Sequence, residues 1–274
     1  MPELPEVETI RQDMINRVKG KRIVKVEVRN EKNIRFPSPQ EFKKRIEGRI
    51  IEDIKRRGKY LLVALDSGEF LVFHLKLTGR LLFFSEKEKE PDYVRIVFFF
   101  EDKTRLFFAD IRGFADVHLL TREEMESLPA IKEMGPEPLS PDFTLDEFKK
   151  RIKSKKGRIK PLLMDQKVIA GIGNIYSQES LYRAKVHPEK NASKLTDKEI
   201  EAIYKSLLEV LEEAIKYRGS SVDAYLDLEG KEGGYVPHLK VYGREGERCL
   251  RCGAPIKKKK IGGRGTYFCD NCQK

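Results

Sequence analysis

The sequence predicts an α+β protein in which a helix and a β-sandwich precede a helical domain and a short finger. Near the N-terminus, apolar residues recur at helical spacing, and short apolar or alternating runs fill the next hundred or so residues. Helical patterns follow a stretch rich in proline and glycine, and all four cysteines lie in the last 26 residues. We therefore expect domains over 1–130, 141–240 and 241–274, with a linker over 131–140.

The N-terminal domain is predicted to begin with a helix over residues 5–18. Its apolar stripe consists of Val7, Ile10, Met14 and Val18. Strands are predicted after it: the valines at 24, 26 and 28 alternate, 60–65 can pair with 70–73, and 93–100 with 104–110. Seven or so strands in about a hundred residues are typical of a sandwich or a flattened barrel.

The second domain is predicted to be helical. Thr144 and Thr196 each precede a glutamate by three residues, which is the capping-box pattern of a helix N-terminus. The glycine turn 171–173 opens a further helix over about 175–183, and backbone N–H groups at such a turn can hold a phosphate. Residues 218–237 are rich in glycine and are predicted to form a loop.

Composition excludes several classes of protein. The chain of 274 residues is 39% hydrophobic and 36% charged, too apolar for a disordered polyelectrolyte and too polar for a membrane protein. Its N-terminus lacks the basic and apolar order of a signal peptide, so neither secretion nor a membrane partner is expected. The net charge of +11 and the run 149–160, with eight basic residues and no acidic one, favour a polyanionic partner such as nucleic acid.

The cysteines have the spacing Cys249-x2-Cys252-x16-Cys269-x2-Cys272. Two Cys-x2-Cys pairs at this separation predict a zinc ribbon with one structural ion, because four thiolates close the tetrahedron and leave no position for substrate. Two disulfides are the alternative, which is disfavoured because nothing indicates an oxidising compartment. The hairpin between the pairs carries Lys257–Lys260 and Arg264.

Pro2 is a candidate nucleophile. A small residue at position 2 permits removal of Met1, which would leave a secondary amine at the chain end. An α-amine has an ordinary pKa of ~7.7–8.0, so it can be neutral at cellular pH and attack an aldehyde-level carbon to form an iminium. Glu3 and Glu6 follow closely. The alternative is an ordinary helix-start proline with carboxylates that complement the helix dipole.

Motifs along the whole chain resemble those of the bacterial formamidopyrimidine-DNA glycosylases. They are, in order, Pro2-Glu3-Leu4-Pro5-Glu6-Val7-Glu8, Arg57-Gly58-Lys59-Tyr60, His74-Leu75-Lys76-Leu77-Thr78-Gly79, Asp110-Ile111-Arg112-Gly113-Phe114, Gly135-Pro136-Glu137-Pro138-Leu139, Ile159-Lys160-Pro161, Gly171-Ile172-Gly173-Asn174-Ile175-Tyr176 and the four-cysteine finger. The resemblance implies that 141–240 is a helix-two-turns-helix DNA-binding domain in which 218–237 is the lesion loop.

The resemblance also implies an activity and its residues. The enzyme would excise oxidised purines, notably 8-oxoguanine opposite cytosine and formamidopyrimidines, and then cut the abasic strand by β,δ-elimination. Pro2 would attack the sugar C1′, Glu3 would act as the acid at the sugar, and Glu6 would support the same pocket. Lys59 would assist β-elimination, and Arg264 would grip the phosphate during δ-elimination.

Further residues are implied to contact DNA. Leu77, Arg112 and Phe114 would fill the gap left by the extruded base, with Leu77 in place of the family's usual methionine. Phosphate contacts are expected from Lys155 or Lys156, Lys160 and Asn174. The family's DNA-contacting histidine is replaced near Tyr93. The expected partner is double-stranded DNA with oxidised bases or abasic sites, bound by a monomer in the bacterial cytoplasm at the nucleoid.

Two other interpretations remain open at this stage. An enzyme of the endonuclease VIII type would share the proline, a glutamate and the finger but prefer oxidised pyrimidines. A non-catalytic zinc-ribbon protein would bind DNA in a salt-dependent way without cutting it. Pro2 discriminates the enzymes from the non-catalytic protein, because a protein that only binds DNA needs no free proline amine beside two carboxylates.

Overall fold

A computed structural model describes residues 1–274, which form two compact units. The first combines Met1–Lys132 with Tyr217–Val236, and the second combines Glu133–Lys216 with Pro237–Lys274. The loop predicted over 218–237 falls within the predicted helical domain 141–240, but in the structure 217–236 belongs to the unit that contains the sandwich.

The first unit is a two-sheet sandwich with helices around it, as the sequence predicts. Its helices are α1 (Leu4–Arg17), α2 (Pro39–Ile46), α3 (Arg122–Ser127) and α4 (Pro129–Lys132). Its strands are β1 (Ile23–Val28), β2 (Ile34–Phe36), β3 (Ile51–Arg57), β4 (Tyr60–Leu65), β5 (Glu69–His74), β6 (Gly79–Phe84), β7 (Val94–Phe100), β8 (Arg105–Asp110) and β9 (Asp116–Thr121). The sheet orders are β1-β7-β8-β6 and β2-β9-β5-β4-β3, and the predicted 60–65/70–73 and 93–100/104–110 hairpins are confirmed.

The core of this unit fixes the start of α1. Val7, Ile10 and Met14 are almost completely buried and join one cluster with inward side chains of both sheets. Burial of each such side chain contributes about 1.5–3 kcal/mol. The apolar stripe seen in the sequence therefore anchors the helix whose first turn carries the N-terminal carboxylates.

The segment 217–236 covers an open sheet edge. Strand β6 lies at the end of its sheet, and the N–H of Phe83 donates to the carbonyl of Leu228 at 2.8 Å. Arg80 donates to the carbonyl of Ala224 at 2.6 Å, and Arg218 bridges Asp13 and Asp227 at 2.7 Å each. An uncovered edge would present unpaired N–H and C=O groups, so this segment completes the sandwich.

The second unit contains four helices and a hairpin. They are α5 (Leu145–Lys153), α6 (Ile159–Met164), α7 (Asn174–Arg183), α8 (Asp197–Lys216), β10 (Lys257–Ile261) and β11 (Arg264–Phe268). Thr196 and Glu199 form the reciprocal pair of the predicted capping box. At Thr144 only half of the predicted box forms: its hydroxyl accepts from the N–H of Glu147, but its own N–H donates to the carbonyl of Asp142. No helix of the chain combines the length and apolar character needed to cross a membrane.

Candidate active site and zinc finger

The N-terminal segment is held by the first turn of α1. Pro2 is buried, and Glu3, 3% exposed, occupies the N-cap position. The N–H of Glu3 donates to Oε2 of Glu6 at 2.7 Å. This bond satisfies a backbone donor that the helix leaves without an internal partner. The candidate nucleophile and both candidate carboxylates therefore lie together at the N-terminal end of α1.

Glu6 also binds the segment 217–236. Its other oxygen, Oε1, accepts from the N–H of Ser220 at 2.8 Å. Gly219 has φ +83°, and a Cβ there would lie 2.8 Å from the same oxygen, so only glycine fits this approach. One buried carboxylate thus connects the start of α1 with residues 219–220 of the predicted lesion loop.

Lys59 occupies the turn between β3 and β4 and is only 6% exposed. The neighbouring Arg56 donates to the carbonyl of Gly58 and to the Glu8 carboxylate, both at 3.0 Å. Burial acts to raise the pKa of Glu8, but hydrogen bonds from Arg11 and Arg56 lower it below the ordinary value. Charged Glu8 on α1 therefore fixes the turn that carries Lys59.

His74, at the end of β5, was not selected from the sequence as a separate site residue. Burial, with Lys76 and Lys59 nearby, lowers its pKa to about 3, so the imidazole is neutral at cellular pH. Its Nδ1 accepts from the N–H of Lys76 at 3.0 Å, which places the ring proton on Nε2. Its ring packs edge-on against Tyr60 with centroids 4.5 Å apart. His74 thus offers a neutral N–H donor beside two lysines.

The three candidate insertion residues lie on two loops that pass between the sheets. Leu77 lies between β5 and β6, and Arg112 and Phe114 lie between β8 and β9. The strand pairs 79/110 and 74/116 bring these loops to the same end of the sandwich. Phe114 is 50% exposed, and the Arg112 guanidinium stands 5.2 Å from its ring centre. Leu77 is partly buried.

A buried carboxylate that the sequence analysis missed organises these loops. Asp110 accepts from the Thr78 hydroxyl at 2.5 Å and from the N–H of Ala115 at 2.8 Å. Asn33, fully buried, donates to the carbonyl of Ala115 at 2.6 Å. The N–H of Asp110 donates to the carbonyl of Tyr93, a 57% exposed residue with φ +60°. The sequence shows Asp110 only as an aspartate at the end of a predicted strand, and that position does not reveal its hydrogen-bond partners.

The second unit brings together Lys160, Asn174 and the finger hairpin. The fully buried ammonium of Lys160 donates to Oδ1 of Asn174 at 2.6 Å and to the Thr266 hydroxyl at 2.8 Å. Asn174, the first residue of α7, donates to the carbonyl of Gly265 at 3.2 Å. Arg264 is exposed at the start of β11, and its carbonyl accepts from the Thr266 hydroxyl of this cluster at 3.1 Å. Lys155 and Lys156 are exposed on the connection from α5 to α6, apart from these bonds.

The four cysteines form a metal site. Their Sγ atoms all lie within 4.8 Å of one another, with 3.8 Å between Cys249 and Cys272 and 3.6 Å between Cys252 and Cys269. A tetrahedron with Zn–S bonds of ~2.3 Å has S–S edges of about 3.8 Å. A disulfide would need ~2.05 Å, so the alternative of two disulfides is wrong. The site fits one zinc ion with four thiolates.

Helix α7 holds the finger by side chains that the sequence analysis did not select. Gln178 donates to the carbonyl of Gly265 at 3.2 Å and accepts from the N–H of Tyr267 at 2.5 Å. The buried Glu179 carboxylate accepts three backbone N–H bonds, at 2.9–3.0 Å, from residues 240–242. Burial raises the pKa of Glu179 despite these donors. Nothing in the local sequence distinguishes these residues from ordinary helix residues.

Family models cover most of the chain. The formamidopyrimidine-DNA glycosylase N-terminal domain matches residues 1–117, and the formamidopyrimidine-DNA glycosylase H2TH domain matches 134–225. A zinc finger found in FPG and IleRS matches 246–274. These matches follow the order of sandwich, helices and finger.

Individual proteins agree with these models. The chain is 43% identical to the formamidopyrimidine-DNA glycosylases of Pelotomaculum thermopropionicum and Listeria innocua. Both alignments cover 100% of this chain, with 99% of the first relative and 100% of the second. A Lactococcus lactis FPG mutant in complex with DNA containing Fapy-dG has a TM-score of 0.93 at 36% identity, with 100% of both chains covered. Thermus thermophilus MutM (FPG) has a TM-score of 0.89 at 38% identity, and the match covers 99% of this chain and 98% of the Thermus chain. The chain therefore belongs to the formamidopyrimidine-DNA glycosylase family.

Proposed function

We propose that this DNA glycosylase and abasic-site lyase of base excision repair removes oxidised purines through a Schiff base at Pro2. Its substrates are 8-oxoguanine opposite cytosine and formamidopyrimidines in duplex DNA. The observation that carries the proposal is the N-terminal end of α1, where buried Pro2 precedes the N-cap residue Glu3 and where Glu6 binds both Glu3 and Ser220. Removal of Met1 would uncover the secondary amine at this place.

The reaction requires no redox partner. The neutral Pro2 nitrogen attacks C1′, the glycosidic bond breaks with its electron pair leaving on the base, and the base takes up a proton. Opening of the sugar ring, with Glu3 as the acid, leaves an iminium between Pro2 and C1′. Loss of a C2′ proton then expels the 3′-phosphate, and a second elimination expels the 5′-phosphate. Water finally releases the sugar fragment from the amine.

Other residues are assigned to DNA around this centre. Lys59 assists the first elimination, and its buried position on a turn fixed by Arg56 and Glu8 suits an ordered role better than that of a loose surface lysine. Arg264 serves the second elimination. Lys160 and Asn174, a hydrogen-bonded pair in which Lys160 is fully buried, are assigned to the phosphates, while Lys155 and Lys156 supply exposed positive charge. We place this activity on chromosomal DNA in the bacterial cytoplasm.

Trapping with borohydride tests the proposal. The full chain, after removal of Met1 has been verified by mass, is incubated with a duplex that carries one 8-oxoguanine opposite cytosine and is then reduced. Borohydride converts the iminium to a stable amine, so a covalent protein–DNA adduct is expected, and peptide mass mapping should place it at Pro2. Undamaged duplex serves as the control and should give no adduct.

The other outcomes are equally informative. An adduct at a lysine would contradict the assignment of Pro2 as nucleophile. An adduct formed only with an oxidised pyrimidine would contradict the substrate assignment and support an activity of the endonuclease VIII type. Specific binding without any adduct would contradict the enzymatic proposal.

Phe114→Ala should slow excision from duplex DNA about tenfold or more. The ring would stack in the gap left by the extruded base, and base–aromatic stacking is worth ~1–3 kcal/mol. Single-turnover excision of 8-oxoguanine measures the effect. Phe36→Ala is the matched control, because Phe36 is a similarly exposed phenylalanine, 43% against 50%, on strand β2 of the same unit. Equal rates for Phe114→Ala and the unmodified protein would contradict insertion.

A further inference from the structure

Helix α7 presents one row of polar side chains to the finger. Asn174, Gln178 and Tyr182 are spaced by four residues, so they lie on one face of the helix. The first two bind the backbone of β11, as described above. The third reaches the metal site: the Tyr182 hydroxyl lies 3.3 Å from Sγ of Cys249. The row thus extends from the N-terminus of α7 to a zinc ligand.

Tyr182 is fixed in this position. The residue is only 3% exposed, and it packs in one cluster with Val241, Cys249, Ile256 and Cys269. The Arg251 guanidinium covers the ring at 4.2 Å from its centre and donates to the carbonyl of Tyr182 at 2.5 Å. Because Arg251 covers the face of the Tyr182 ring and apolar side chains pack around it, the hydroxyl has little freedom to turn away from the sulfur.

The chemistry of the site determines the direction of this hydrogen bond. A zinc ligand is a thiolate, which can only accept, so the Tyr182 hydroxyl is the donor. The N–H of Arg251 also donates to the same sulfur at 3.4 Å. Cys249 therefore receives backbone donors from the finger itself, at Arg251 and Cys252, and one hydroxyl donor from a helix outside the finger.

We propose that Tyr182 is a positioning residue of the zinc centre, whose hydroxyl holds the Cys249 thiolate in place and slows loss of the metal. Groups that bond to metal ligands orient them, and their removal typically weakens metal binding 10–100-fold. Retention of zinc then depends on the docking of the finger against α7, the helix that also holds the strand carrying Arg264. This inference does not depend on the reaction proposed for Pro2.

Tyr182→Phe tests the proposal, because it removes one oxygen and keeps the ring under Arg251. The zinc-loaded full chain is mixed with an excess of a chromogenic chelator, and zinc release is followed with time. We expect release at least about tenfold faster than from the unmodified protein. Tyr204→Phe is the matched control: Tyr204, in α8 of the same unit, donates its hydroxyl to the carbonyl of Phe143 and should release zinc at the unmodified rate.

The absorption spectrum of the cobalt-substituted protein reports on the thiolate ligands themselves and does not depend on the overall stability of the protein. Loss of a hydrogen bond to a thiolate raises the energy of its lone pairs, so the sulfur-to-cobalt charge-transfer band of Tyr182→Phe should move to longer wavelength. Release at the unmodified rate with an unmoved band would overturn the proposal. Equal acceleration in Tyr182→Phe and Tyr204→Phe would also overturn it, because it would indicate a general loss of stability.

Discussion

A protein whose Pro2 amine is blocked should lose incision by about 1,000-fold or more while still binding the lesion. A short N-terminal extension that cells do not remove achieves this block, because it turns the proline nitrogen into an amide without a nucleophilic lone pair. Loss of a covalent nucleophile commonly costs this much or more. Pro2→Gly should also abolish incision, since it replaces a ring-held secondary amine with a mobile primary one. Strand cutting and binding to a duplex with 8-oxoguanine opposite cytosine measure the two effects separately.

Pro5→Ala provides the matched control for Pro2. Pro5 is buried in the first turn of α1, three residues further along, but its nitrogen lies within the chain and cannot attack a sugar. Its replacement should leave incision near the unmodified level. Full incision by the N-terminally extended protein would disprove the role of Pro2, whereas equal losses of incision and binding would indicate damage to the fold of the site.

Removal of zinc should weaken DNA binding at least about tenfold at constant salt. Structural zinc contributes about 10–16 kcal/mol of apparent folding free energy to small fingers, and a two-stranded hairpin is not stable alone. The hairpin carries four exposed lysines, Lys257–Lys260, together with Arg264. Their release should also flatten the dependence of binding on salt, because fewer phosphate contacts displace fewer counterions. Binding titrations at several salt concentrations, before and after chelation, check both expectations.

Chelator already saturated with zinc is the control for this experiment, and added zinc should restore binding to the depleted protein. Unchanged affinity and unchanged salt dependence after verified loss of zinc would show that the finger does not contribute to the interface. Loss of binding that zinc fails to restore would point instead to irreversible oxidation of the cysteines.

Local signals in the sequence predict much of this molecule. The apolar stripe of α1, the hairpins and the threonine caps depend on neighbours a few residues apart, and the structure confirms them. The zinc site is equally local, because two Cys-x2-Cys turns need only one hairpin to meet. Pro2 stands out for a chemical reason, since only a residue next to Met1 can become an α-amine.

Contacts between distant parts of the chain are not visible in the sequence. The bond between Glu6 and Ser220 joins residues 214 positions apart, and that between Lys160 and Thr266 joins residues 106 apart. Burial of Lys59 and Lys160 is also unexpected, because a lysine in a basic run is ordinarily solvated. Which carboxylate or ammonium becomes buried depends on how the sheets and helices pack, and no local pattern encodes that packing.

The first unit is built from two separated segments of the chain, and this affects how it folds during synthesis. Residues 1–132 leave the ribosome well before 217–236, and translation of the intervening chain takes on the order of ten seconds. Throughout this interval the edge of β6 lacks the carbonyl of Leu228, and Glu6 lacks the N–H of Ser220. The nascent sandwich therefore exposes an uncovered sheet edge at β6 and lacks the bond that joins Glu6 to Ser220 until the helical unit has been made. A chain truncated at Lys132 would keep both defects permanently, which makes association through β6 its expected fate.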